Sequence, residues 1–177
     1  GLAEMCVASP DAGDIDAAID APGVDAAIDA SRVDAPSASA VAGISLGGSH
    51  TCAWTASGQA YCWGMNGSGQ LGNNSTVNRS QPVFVTGLLD TAMITAGGNH
   101  SCALHAGSTA SCWGFNGSGQ LGDGDTTNRL SPTPVPNLTG LGQLAGGGNH
   151  TCALLTTGAA QCWGNNGFGQ LGDGSNN

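Results

Sequence analysis

His50, His100 and His150 stand 50 residues apart, and the same interval separates Cys52, Cys102 and Cys152, then Cys62, Cys112 and Cys162, then Trp63, Trp113 and Trp163. Aligned without a gap, the three blocks read GGSHTCAWTASGQAYCWGMNGSGQLG, GGNHSCALHAGSTASCWGFNGSGQLG and GGNHTCALLTTGAAQCWGNNGFGQLG. Self-similarity at a fixed period means that one supersecondary unit is written three times and buries its apolar faces by stacking on its neighbours. The invariant columns therefore report what the scaffold needs. The variable columns report where it is free.

Within a block the pattern is β. HTCAW alternates, a Gly-containing turn (TASG, or TTG with Gly158) follows, and QAYCWG makes the return strand of a hairpin. Ahead of it, VAGISLGG, TAMITAGG and GQLAGGG are apolar and then Gly-rich, as suits an inner strand closely approached by neighbouring backbone. After GQLG comes a polar loop, then PVFV from Pro82 or PTPVPNL from Pro132, where proline restricts the strand to a sheet edge. Four short antiparallel strands per block, with Trp and Gly at fixed places, predict an all-β fold built of β-propeller blades.

The string GGxH(S/T)CAL, followed by CWG and NGxGQLGDG, resembles the repeat of the regulator of chromosome condensation family. The resemblance covers residues 41–177 and implies a seven-bladed propeller, of which this chain holds a part. The paired cysteines depart from the eukaryotic archetype and resemble secreted or surface repeat proteins of bacteria. Repeats are expected at 41–90, 91–140 and 141–177, the last stopping at LGDGSNN before its outer strand. Propellers close with roughly four to eight blades, so the expectation is a fragment of a longer protein. The alternative is self-association, in which open blade edges pair between chains.

The cysteines fall in three C-x9-C pairs. In the expected hairpin Cys52 faces Cys62, Cys102 faces Cys112 and Cys152 faces Cys162 across adjacent antiparallel strands. Such positions lie about 4.5 Å apart at Cα, within reach of a disulfide. Three intrablade disulfides are the first expectation, and they imply an oxidising compartment, outside the cell or on its surface. Two rivals stay open: a metal site in which His50 joins Cys52 and Cys62, and buried reduced thiols. No CxxC spacing supports the metal, so no metal and no cofactor is expected.

Composition separates the repeats from what precedes them. Residues 1–40 carry Glu4, Asp11, Asp14, Asp16, Asp20, Asp25, Asp29 and Asp34 against Arg32, a net charge of −7. Residues 41–177 carry Asp90, Asp123, Asp125 and Asp173 against Arg79 and Arg129, only −2. The leader phrases IDAAIDAPG and VDAAIDASR repel themselves and hold no large apolar side chain, so a disordered, low-complexity tether is expected over residues 1–40. A cation-binding repeat is the alternative, against which stands the lack of a DxDxDG alternation. Cys6, in AEMC, is the odd cysteine, and Met5 with Glu4 does not fit a lipid-attachment site.

Three cations in the chain leave no basic stripe for phosphates or an anionic membrane surface, so no nucleic-acid partner is expected. No apolar run approaches the roughly 18 residues of a spanning helix, so membrane insertion is not expected either. The chain opens at Gly1 without Met, which reads as a processed or truncated product.

The repeated His50, His100 and His150 read as structural, pairing the ring with strand-end backbone, and the Trp set reads as interblade packing. GDGDTTN, Gly122 to Asn128, has the acids of a calcium loop, yet block one has GNNSTVN there, so a turn is expected. Function belongs to the variable columns. Met65, Phe115 and Asn165 follow CWG, Ser68, Ser118 and Phe168 share the same loop, and Thr55, His105 and Leu155 precede the hairpin turn. Loops from successive blades gather at one end of a propeller, so Met65, Phe115, Asn165, Phe168 and His105 are the expected binding rim, with drift at exposed positions as the bland alternative.

No nucleophile-base-acid set or phosphate-cradling loop is legible, so the chain is not expected to be an enzyme. The reading is a non-catalytic extracellular binding or adhesion scaffold whose partner is a protein or a glycan. The alternatives are a self-assembling structural protein, a guanine-nucleotide exchange factor as the family name implies, and an inhibitor of a secreted enzyme, like the β-lactamase inhibitor propellers that resemble this family.

Overall fold

Strands β1 (Val41–Leu46), β2 (His50–Thr55), β3 (Ala60–Gly64) and β4 (Arg79–Phe84) pair in that order in the computed structural model, which describes residues 40–176. The expected tether, apart from Ala40, lies outside the described residues, as does Cys6. A second sheet has β5 (Thr91–Ala96), β6 (His100–His105), β7 (Ala110–Gly114) and β8 (Arg129–Pro134) in the same order. The third has β9 (Leu141–Gly146), β10 (His150–Leu155) and β11 (Ala160–Gly164), with no fourth strand among the described residues. All pairings are antiparallel and no residue described is helical, so the three sheets are propeller blades.

The hairpin register is the same in every blade: His50 faces Gly64, Cys52 faces Cys62 and Trp54 faces Ala60, with matching pairs in the other two. A tight turn sets it, closed by Gly58 N–H donating to Thr55 O at 3.0 Å. Pro82 and Pro132 lie in β4 and β8, the outermost strands, where a missing N–H costs no ladder bond. Those strands begin three residues ahead of the prolines, at Arg79 and Arg129.

Blades stack through the paired glycines between their first two strands. Gly48 N–H donates to Gly97 O at 3.1 Å, and Gly98 N–H donates to Gly147 O at 3.0 Å. A Cβ on Gly98 would lie 2.5 Å from Gly148 O, which explains why both columns admit glycine alone.

Farther from these corners the core is apolar and lies between sheets. Leu71, Val85 and Leu88 of the first blade close on Ile94, Ala103 and Trp113 of the second. Leu121, Val135 and Leu138 of the second close on Leu144, Ala153 and Trp163 of the third. Each such Leu or Ile contributes about 1.5–3 kcal/mol through burial.

Candidate functional site

The invariant polar columns build the seams between blades. Ser101 Oγ donates to Gln70 O at 3.0 Å, and Trp113 Nε1 donates to the same carbonyl at 2.9 Å. The hydroxyl's one hydrogen is thereby used, so His50 Nε2, 2.8 Å away, is the donor to Ser101 Oγ. Its Nδ1 is then a bare acceptor, buried and without a partner. The next seam repeats the relay: His100 to Thr151 at 2.9 Å, Thr151 to Gln120 O at 2.9 Å, and Trp163 Nε1 to Gln120 O at 2.9 Å.

Burial lowers the pKa of both His50 and His100 to about 4, with neighbouring histidines adding a little at His100. A proton on Nδ1 would have no acceptor. The expected strand-end backbone partner of these rings is therefore replaced by the next blade's hydroxyl, which passes the contact on to a carbonyl. The Ser/Thr column after each His was present in the sequence, but its direction toward the preceding blade was not.

A second invariant column ties the loop after CWG. Asn116 Nδ2 donates to Asp123 Oδ1, Asp125 O and Thr127 O at 3.0–3.1 Å, and its Oδ1 accepts from Leu121 N–H. Arg129 bridges the two carboxylates through Nε to Asp123 and Nη2 to Asp125, each at 2.6 Å. The Thr127 N–H, and after it Arg129, hold the Asp125 carboxyl below its ordinary range. An amide nitrogen thus occupies the centre that a calcium ion would need, and GDGDTTN is a turn. In the first blade Asn66 does the same work with Asn73, Ser75 and Val77, and no acid is required. Nothing but the invariance of NG could have singled out these asparagines.

Disulfides join Cys52 to Cys62, Cys102 to Cys112 and Cys152 to Cys162, with Cα atoms 4.1, 4.0 and 4.1 Å apart. They lie on the blade face turned to the following blade: the first two pairs are buried there and the third is half-buried. His50 turns to Ser101, and the Cys52 and Cys62 sulfurs are bonded to each other. Among the described residues no cluster of His, Cys, Asp or Glu is arranged to hold a metal ion.

Met65, Phe115 and Asn165 leave the ends of β3, β7 and β11, each anchored by its N–H on the carbonyl of Ser49, Asn99 or Asn149 at 2.8 Å. Met65 is 42 % exposed and Phe168, in the third loop, is 96 % exposed. The Phe115 ring folds back over Gly117, and Asn165 Oδ1 accepts from Gln170 Nε2 at 2.6 Å.

His105 does not join them. It ends β6 while Phe115 follows β7, and the antiparallel register places these at opposite ends of the sheet, roughly 20 Å apart along the strands. Thr55 and Leu155 share that far end. The His105 and Phe115 columns both vary, but variation carries no information about which end of a strand a residue occupies. A groove of 490 Å³ lies elsewhere again, between the β8–β9 connection and β11, lined by Gly122, Val135, Pro136, Asn137, Leu138 and Trp163 among others. No rim residue reaches it.

Models of the regulator of chromosome condensation (RCC1) repeat match residues 57–104 and 112–154, and a second model of that repeat matches 41–70, 94–120 and 143–170. Among solved structures, Prp20p from Saccharomyces cerevisiae is similar at 25% identity and a TM-score of 0.65, covering 76% of this chain and 34% of its own. Human WBSCR16 is similar at 24% and 0.64, covering 70% and 33%. Yeast RCC1 (Prp20) bound to Kap60 is similar at 24% and 0.61, covering 71% and 30%. The chain spans about a third of the length of these proteins.

Proposed function

The chain belongs to the regulator of chromosome condensation (RCC1) repeat family, and from that premise we propose that it is a scaffold binding an extracellular macromolecule through the loops that follow CWG. The observation that carries this reading is a division of labour inside one loop. Asn166 turns inward to Asp173 and Ser175, while Phe168, two positions on, stands almost wholly in solvent. An aromatic ring displayed on a loop tied at its base is a low-entropy contact surface, as binding anchors require. In the first blade Met65 offers a smaller apolar surface beside the same tied column.

The partner class follows from the relatives and from charge. Prp20p has binding properties to Gsp1p and histones, and yeast RCC1 binds Kap60. A protein partner is therefore favoured over a glycan. The two Arg of residues 41–177 give nucleic acid little to bind. Three disulfides support an oxidising, extracellular setting, and no helix of the described residues is long and apolar enough to cross a membrane. Further blades of the family type would complete a seven-bladed ring around this face.

A photo-crosslinking residue in place of Phe168, compared with one in place of Leu89, tests the reading. Leu89 is 70 % exposed but lies at the opposite end of the blades, against Gly58 of the hairpin turn. Adducts with one extracellular protein at position 168 and not at 89 are expected. Equal adducts at both positions, or none at 168, would remove the proposal.

A further inference from the structure

Asp90, His105 and Ser111 occupy three columns that block one fills with Ala40, Thr55 and Tyr61 and block three with Gly140, Leu155 and Gln161. The scaffold therefore needs none of them. In the second blade they converge: His105 Nδ1 lies 2.7 Å from Asp90 Oδ1, and His105 Nε2 lies 3.0 Å from Ser111 Oγ. A carboxylate only accepts, so Nδ1 carries the hydrogen and Nε2 of the neutral ring presents its lone pair to the Ser111 hydroxyl, which donates. This is the opposite tautomer to that of His50 and His100, whose Nε2 donates.

Backbone bonds hold the arrangement from three sides. Ala106 N–H donates to Asp90 O, His105 N–H to Thr109 O, and Ser108 N–H to His105 O, all at 2.9 Å. Ser111 sits in β7 opposite Ala103, within the sheet and not on a loop. A hydroxyl bonded to an imidazole that is itself oriented by a carboxylate is the arrangement of an activated serine nucleophile.

We propose that Ser111 is such a nucleophile, with His105 as its general base and Asp90 as the group that orients the ring, and that it takes an acyl group from small activated esters. Ser111 Oγ bonds to the ester carbonyl carbon as its proton passes to His105 Nε2. The carbon–oxygen bond to the alcohol then breaks, and the departing alkoxide takes that proton from Nε2. Ser111 is left acylated, the alcohol is released and Asp90 is unchanged. Ser111 is 7 % exposed, which favours a small acyl donor over a bulky one. This activity is independent of the binding face, which lies at the other end of the blades.

The 177-residue chain with its disulfides intact would be treated with p-nitrophenyl acetate. Adducts would be mapped by peptide mass. A single adduct at Ser111 is expected, with one equivalent of p-nitrophenolate released per chain. Asp90→Asn alters a largely exposed side chain and should slow modification roughly 100-fold without disturbing the fold. His105→Leu, borrowed from block three, should abolish it. An unmodified Ser111 in the parent chain, or equal modification in His105→Leu, would overturn the proposal.

Discussion

The second blade and its two flanking blades share their invariant columns and their hairpin register, yet they are not equally buried. Trp113 is 0 % exposed, whereas Trp63 and Trp163 at the same column are half-buried. Ile94 is 1 % exposed and its counterpart Ile44 is 50 % exposed. The Cys102–Cys112 pair is sealed, and Cys152–Cys162 is not. A single blade therefore does not own its stability. The repeat sets a geometry, and a neighbour on each face converts that geometry into buried area, as in other quasi-one-dimensional repeats.

Acid should weaken the seams most. His50 and His100 are held at about 4 against an ordinary 6.5, because burial disfavours the charged ring. Above pH 6.5 folded and unfolded chains both carry neutral rings, and the stability they support is fully present. Between 6.5 and 4 the unfolded chain binds protons that the folded chain refuses, so stability falls with pH, and the loss is complete below about 4. Each ring accounts for about 3 kcal/mol over that window. Urea midpoints at pH 7 and pH 4.5 should differ accordingly, and His100→Gln should shrink the difference while lowering the midpoint at pH 7. An unchanged pH dependence in that variant would show that the rings do not clasp the blades.

Next in size, Trp113→Ala should cost about 3–5 kcal/mol, since it empties a closed core and frees the Gln70 carbonyl of one donor. The same change at Trp63 should cost about half as much, because that ring already meets solvent. The comparison is read in urea melts of the two variants. Equal losses would mean that burial between blades does not govern the difference.

The blade was legible because its period, its hairpin and its edge prolines are local signals, each decided within a few residues. Pairing of Cys52 with Cys62 followed from the same local register. What escaped depended on a neighbour or on direction along a strand. The path from His50 through Ser101 to the Gln70 carbonyl joins positions 51 and 31 residues apart, and spacing does not say which blade a hydroxyl faces. Asn116 was visible as an invariant letter, but its place at the centre of a loop's oxygens needed coordinates. Asp90, His105 and Ser111 do not read as a set for the same reason: three columns scattered over 22 residues become a cluster only when β5, β6 and β7 lie side by side.

The smallest effect belongs to the disulfides, and it tests the comparison most finely. Each closes a loop of separation 10, worth at most about 3 kcal/mol in the chain-entropy model, and the three loops are identical in that respect. Their chemistry therefore differs only through cover. In the 177-residue chain under a mild thiol reductant in native buffer, Cys152–Cys162 should open first, since an attacking thiolate reaches its half-buried sulfurs. Cys52–Cys62 and Cys102–Cys112 should wait for the blades to part. Alkylation and peptide mass mapping against time would record the order. Urea just below the unfolding midpoint should erase it, because separated blades expose all three pairs alike. If the three pairs opened together without urea, the seams would be parting on the timescale of reduction, and the contrast between a sealed blade and an open one would describe an average, not a barrier.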